Sequence, residues 1–143
     1  MQRFSFAFIL ITSFITLCGC GSSARTEKVV QASGVLKYQG KPLEGYKITC
    51  EPTDNRQSAT GITDETGKFV LGTNIPGDGA ATGKHKVAVS FISEKIEGEP
   101  GREVFKTILP KYKVPKKYED SKTSGIEIDI PASGTTSIII DLD

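Results

Sequence analysis

About seven short segments of this 143-residue chain alternate apolar with polar side chains at a period of two, and no stretch sustains a helical period. Tyr46, Ile48 and Cys50 alternate with Lys47, Thr49 and Glu51; Val87, Val89 and Phe91 alternate with Lys86, Ala88 and Ser90. Ile126, Ile128 and Ile130 share one face, as do Ile138, Ile140 and Leu142. A period of two places alternate side chains on opposite faces of a strand, so each segment has one face to bury. Strands are therefore expected at residues 29–38, 46–51, 58–63, 68–73, 84–91, 126–130 and 137–142, with both faces of the first carrying apolar groups. Gln39-Gly40-Lys41-Pro42, Asp64-Glu65-Thr66-Gly67 and Pro131-Ala132-Ser133-Gly134 read as turns, the second of type I with the Asp64 carboxylate accepting from nearby backbone N–H groups. The last two turns are expected to close hairpins. Residues 74–83 read as a Gly- and Ala-rich loop. The long irregular stretch 92–120 is expected to hold a short helix or an edge strand, since structureless loops of that length are uncommon. The expected fold is all-β, a single antiparallel β-sandwich whose two sheets bury their alternating faces against each other.

The N-terminus predicts where the chain resides. Arg3 and the amino terminus form a short positive region, and Phe4 to Leu17 is an apolar run too short to span a bilayer comfortably. Leu17-Cys18-Gly19-Cys20 resembles the lipobox of bacterial lipoproteins, which implies cleavage before Cys20, a diacylglyceryl thioether on its sulfur and acylation of the new amino terminus. The alternatives are a plain secretory signal and an uncleaved anchor. Residues 1–19 are read as the signal peptide, residues 20–28 as a lipidated flexible tether, and residues 29–143 as the domain. The expected location is the bacterial cell envelope, extracytoplasmic and membrane-held through Cys20, with inner versus outer membrane left open.

Charge and cysteine content exclude several classes. The chain has 18 Lys and Arg against 17 Asp and Glu, and loss of Arg3 with the signal leaves a balanced mature protein. A general nucleic-acid binder needs a strongly basic surface to collect phosphates, so no nucleic-acid partner is expected. With Cys18 cleaved away and Cys20 lipidated, Cys50 has no partner for an internal disulfide, and its strand parity predicts a buried, inert thiol.

Few residues carry chemistry. His85 is the single histidine, and its parity with Val87 and Val89 points it toward the core side; without further His or Cys at ligand spacing, no zinc site is expected. Nucleophile-elbow, metalloprotease, Cys-x-x-Cys and phosphate-loop motifs are missing, so no catalytic residue and no cofactor are expected. Asp54, Asp64, Glu65 and Asp78 could gather as calcium ligands, though their spacing fits no known calcium loop and turn capping explains Asp64. The basic stretch from Lys106 to Lys122 carries Tyr112 and Tyr118; a solvated loop is the favoured reading, and Lys113, Lys116, Lys117 and Tyr118 are the candidate surface should it dock on an anionic partner. Lys37 and Asp141 are a remote pair for an isopeptide bond, disfavoured by the outward parity of Asp141. The chain has no Trp and four Tyr, which argues against a carbohydrate platform and in favour of a protein partner.

An ordered set of motifs runs through the domain: Gly40-Lys-Pro-Leu-Glu-Gly45 after the first strand, Thr63-Asp-Glu-Thr-Gly-Lys-Phe69, Gly83-Lys-His-Lys-Val87, and Val114-Pro-Lys-Lys-Tyr118 ahead of Thr123-Ser-Gly125. In this order they resemble bacterial lipoproteins with a carboxypeptidase regulatory-like, transthyretin-like domain. The resemblance spans roughly residues 29–142. It implies a seven-stranded Greek-key sandwich used as a non-catalytic accessory or ligand-binding module, and it supplies no catalytic residue. The expected function is a binding or accessory role, with an envelope protein as the favoured partner and an unknown small-molecule ligand left open. The alternatives are a purely structural envelope lipoprotein and, more distantly, a carbohydrate- or calcium-binding module.

Overall fold

The computed structural model describes residues 26–98 and 100–143. Cys20, with the lipidation read from it, lies outside the described residues. In chain order the elements are β1 (Ala32–Tyr38), β2 (Lys41–Pro42), β3 (Tyr46–Pro52), β4 (Ala59–Ile62), β5 (Lys68–Val70), β6 (Gly83–Phe91), β7 (Glu94–Glu97), β8 (Val104–Thr107), a 3₁₀ turn at Lys116–Glu119, β9 (Glu127–Ile130) and β10 (Thr135–Leu142). Each segment read as a strand contains one, and no α-helix is present among the described residues. The stretch read as irregular holds both expected features, the β7–β8 pair and the 3₁₀ turn.

Two sheets share one core. In one, β1 lies between β10 on one side and β2 and β5 on the other; in the second the order is β4-β3-β6-β9, antiparallel throughout. Leu36 of β1, Phe69 of β5 and Ile138, Ile140 and Leu142 of β10 meet Ile48 and Cys50 of β3, Val87 and Val89 of β6 and Ile130 of β9 in a single apolar cluster. Fully burying a side chain of this size contributes about 1.5–3 kcal/mol, and no disulfide is needed to hold the layers. Cys50 is wholly buried, as its parity predicts, and burial pushes its thiol pKa up to about 12.

Three expectations are corrected. The first sheet is mixed, because β1 and β10 run parallel, from Ala32 against Thr135 to Tyr38 against Leu142. The hairpin expected between β9 and β10 does not form, and the one expected between β4 and β5 pairs only at its ends, where Asp64 N–H donates to the Lys68 carbonyl at 2.9 Å and Thr60 pairs with Gly72. The Asp64–Gly67 turn is built as read, with Gly67 N–H donating to the Asp64 carbonyl at 2.9 Å and the Asp64 carboxylate accepting from Thr66 and Lys68 N–H. It nevertheless carries the chain from β4 in the second sheet to β5 in the first. The Pro131–Gly134 turn does the same between β9, which pairs with β6, and β10, which pairs with β1. Strands joined this way present their apolar faces to each other across the core, and the period of two is the same for that arrangement as for a hairpin. On the β4–β5 side, Thr60 and Gly72 exchange two backbone hydrogen bonds of 2.8 Å and close the seam between the sheets.

Strand direction gives the sandwich two distinct ends. At one end lie the start of β1, the end of β3 at Pro52, the start of β6 at His85, and the 72–82 loop, where Val30 pairs with Ala80. At the other lie Tyr38, the turn from Gln39 to Gly45, and the Tyr46–Phe91 pair that opens the β3–β6 ladder. Seven residues of β1 separate them, about 20 Å.

The tightest approach of two strands is at Gly34, where an added methyl would fall on the carbonyl oxygen and Cβ of Ile138 in β10. Gly34→Ala is expected to cost about 2–3 kcal/mol through forced separation of the strands, whereas the neighbouring outward Ser33→Ala should stay within about 0.5 kcal/mol. Urea unfolding of both variants checks this. An unchanged midpoint for Gly34→Ala would mean that β1 and β10 are not this close.

Candidate functional site

A two-part concave surface lies at the Tyr46–Phe91 end. One compartment, about 340 Å³, is floored by buried Leu43 and Tyr46 and by Phe91, with walls from Lys41, Pro42, Leu109, Lys111 and Tyr112. It opens into a wider groove of about 700 Å³ through shared Glu44, Gly45, Glu65 and Ile108, and there Asp64 and Glu94 add further carboxylates. The pocket is therefore apolar in its floor, cationic at one end and anionic at the other.

Its geometry follows from packing. Tyr46 opens β3, and its ring is tilted against Phe91 at a centroid distance of 5.2 Å. The Tyr46 hydroxyl donates to the Tyr112 carbonyl at 3.2 Å, tying the 108–115 segment to the second sheet, and burial raises the pKa of that hydroxyl. The Tyr112 ring is tilted against that of Tyr38 at a centroid distance of 6.4 Å, and it has the Lys41 ammonium 5.7 Å and the Lys111 ammonium 5.6 Å from its centroid. The ring quadrupole favours each cation.

The sequence-predicted surface divides. Lys113, Lys116 and Lys117 are exposed, but Tyr118 is 4% exposed and belongs to the core. Its inclusion in a docking surface is corrected: the 3₁₀ turn packs against β6, and the Tyr118 hydroxyl bonds both the carbonyl and the N–H of Asp143, at 3.4 and 3.2 Å. Lys117 lies over the outer side of that ring, 4.6 Å from its centroid. Ser121 donates to the Glu51 carboxylate and Ser124 to the Val87 carbonyl, both at 2.5 Å, so residues 116–124 are fastened to the second sheet and are not a solvated loop.

The four carboxylates considered for calcium are not brought together. Asp54 pairs with Arg56 at 2.8 Å, and that hydrogen bond holds its pKa below the usual carboxylate range. The Thr66 hydroxyl does the same for Asp64 at the far end, and the Thr73 N–H for Asp78. Among the described residues no group of three or more His, Cys, Asp and Glu could hold a metal ion. Lys37 and Asp141 are register neighbours in the β1–β10 ladder, yet Asp141 is exposed and its carboxylate accepts from Gly40 N–H at 3.1 Å. Lys41, Leu109 and the pairing of Tyr112 with Tyr38 were not legible as a site, since the groove forms only where two loops distant in sequence meet.

His85 is wholly buried, as its parity predicts. Its Nδ1 donates to the Gly83 carbonyl at 2.9 Å, which leaves Nε2 the unprotonated nitrogen, without a partner in the core. Desolvation lowers its pKa from the usual 6.5. The native state thus resists a proton that the unfolded chain accepts, so stability rises with pH wherever the unfolded state binds the extra proton. That contribution is present above about pH 6.5 and is lost as pH falls below it, by up to about 1.4 kcal/mol per pH unit. The Asp54, Asp64 and Asp78 contributions fall away in a separate window, below their usual 3.8. Urea unfolding between pH 7 and 5 should show the loss, and His85→Phe should abolish it; an equal slope in both proteins would refute a buried neutral imidazole.

No protein-family model matches the chain, and no curated protein matches it in sequence. Among solved structures, a 9R-lipoxygenase from Cyanothece PCC8801 aligns at 15% identity and a TM-score of 0.32, over 82% of this chain and 17% of the lipoxygenase. A likeness at that level transfers neither fold family nor activity.

Proposed function

We propose that this chain is a lipid-anchored, extracytoplasmic β-sandwich of transthyretin-like Greek-key topology, acting as a non-catalytic binding module toward an envelope protein. In this reading β1, β3, β4, β5, β6, β9 and β10 are the seven strands of the fold, and β2 and the β7–β8 pair are additions to it. Cys20 carries the lipid. A diacylglyceryl group with an amide-linked acyl chain buries many methylenes at about 0.8 kcal/mol each, enough to hold the protein stably at a membrane.

One observation carries the reading. Glu27, near the end of the tether, is fixed at the loop end by two hydrogen bonds with Asn74, of 2.9 and 3.1 Å, whereas the apolar groove with its separated charges lies at the opposite end. A domain held by its N-terminus presents that groove away from the lipid. Its charge order suits a segment with an acidic side chain toward Lys41 and Lys111, an apolar one over Leu43 and Phe91, and a basic one toward Glu44 and Glu65. Lys113, Lys116 and Lys117 extend the cationic side.

Mass spectrometry of the membrane-extracted protein is expected to find the chain starting at a lipidated Cys20, and Cys20→Ser should release it from the membrane. A photo-crosslinking residue at Leu109 should capture an envelope protein, and the Lys41→Glu/Lys111→Glu variant should lose that adduct with its stability unchanged within about 1 kcal/mol. A probe at Ile139, exposed on the outer face of the first sheet, serves as the control. Equal capture from both positions, or none from Leu109, would favour the purely structural lipoprotein.

A further inference from the structure

The loop from Gly72 to Asp78 holds an apolar side chain in solvent on a densely hydrogen-bonded turn. The Asp78 carboxylate accepts from Thr73 N–H at 2.7 Å, from Asn74 N–H at 3.2 Å, from the Asn74 side-chain amide at 2.9 Å and from Ile75 N–H at 3.3 Å. Thr73 adds a hydroxyl bond to the Gly79 carbonyl at 2.9 Å. A loop tied this many times has a defined shape, yet Ile75 at its tip is 66% exposed and is followed by exposed Pro76. Beside them Val70 of β5 is 50% exposed, and a groove of about 390 Å³ along the β4–β5 seam runs on to Ile62. None of the residues lining that groove is charged.

The same loop receives the tether, since Asn74, which donates to the Glu27 carbonyl and accepts from its N–H, is the residue before Ile75. We propose that the Ile75–Pro76 tip and Val70 form a membrane-seating face, which rests on the lipid-anchored reading and adds to it an orientation of the domain. The seven residues from Cys20 to Glu27 can span at most about 24 Å fully extended, and about 15 Å on average as a flexible chain. A bilayer interface that close stands at an effective concentration on the order of millimolar, so a face too small to bind membranes from free solution is sufficient once the lipid is inserted. An uncharged apolar tip is suited to that interface, where a charged one would have to be desolvated.

The chain has no tryptophan, so a single introduced indole reports on one position. Ile75→Trp and, as the distal control, Leu109→Trp are made in chains that start at Cys20. Each is coupled through Cys20 to a maleimide lipid in phosphatidylcholine vesicles; buried Cys50 does not compete. This coupling replaces cellular lipidation, so failure of the seating face and failure of the lipoprotein reading, tested by mass spectrometry, are distinguishable. The proposal expects a blue shift and several-fold quenching by brominated acyl chains for the indole of Ile75→Trp, and little change for that of Leu109→Trp. Adding Val70→Glu to the Ile75→Trp chain should abolish its signal. Equal spectra from the two variants would overturn the proposal. So would a blue shift in Ile75→Trp that needs no vesicles and grows with protein concentration, because the face would then belong to a contact between copies of the chain.

Discussion

The parallel ladder between β1 and β10 is the constraint on which the other elements depend. It places the first and last strands of the domain side by side and makes β1 the centre of its sheet, with β5 and β2 on its remaining edge. Leu36 can be buried on both flanks only because Ile138, Ile140 and Leu142 have come back from the far end of the chain. The approach is so close at Gly34 that no side chain fits there. Pairing between chain ends brings its reward late, after the loop-closure entropy of the whole domain has been overcome, and such topologies fold slowly for that reason.

The segment between β8 and β9 completes what the two sheets leave open. Tyr118 enters the core and is held at its hydroxyl by Asp143, the residue after β10, so the end of the last strand and the 3₁₀ turn fix each other. Ser121 and Ser124 then fasten the descending chain to β3 and β6. Upstream, Tyr112 is tied to Tyr46 and packs on Tyr38, and this contact between a loop and the start of β3 builds the groove wall. The β7–β8 pair is different in character: Ile96, Val104 and Phe105 are exposed on it, and its Lys106–Glu97 pair at 3.7 Å is solvated and adds little.

Much of this was legible residue by residue. The parity that puts Cys50 and His85 on inward faces is correct in both cases, and the Asp64 turn has the hydrogen bonds its Asp and Gly positions demand. Tyr118 escapes such a reading because it stands among lysines, and charge density in a segment says nothing about a single ring turned the other way. The groove was not legible, since Lys41 to Tyr46, Phe91 and Tyr112 come from three separate stretches whose meeting no local pattern announces.

The amino-acid sequence by itself determined that this is a β protein, where seven of its strands lie and, for β3, β6, β9 and β10, which face is buried, because a pleated strand converts a period of two directly into two faces. Only the tertiary structure decided which strand pairs with which. The turns after β4 and β9 carry the signals of hairpins and yet cross between sheets, since an apolar face is buried equally well beside its neighbour or opposite it. Partner choice is a property of the whole core, and so is every feature built on it: the parallel β1–β10 edge, the groove at one end and the Glu27–Asn74 contact at the other.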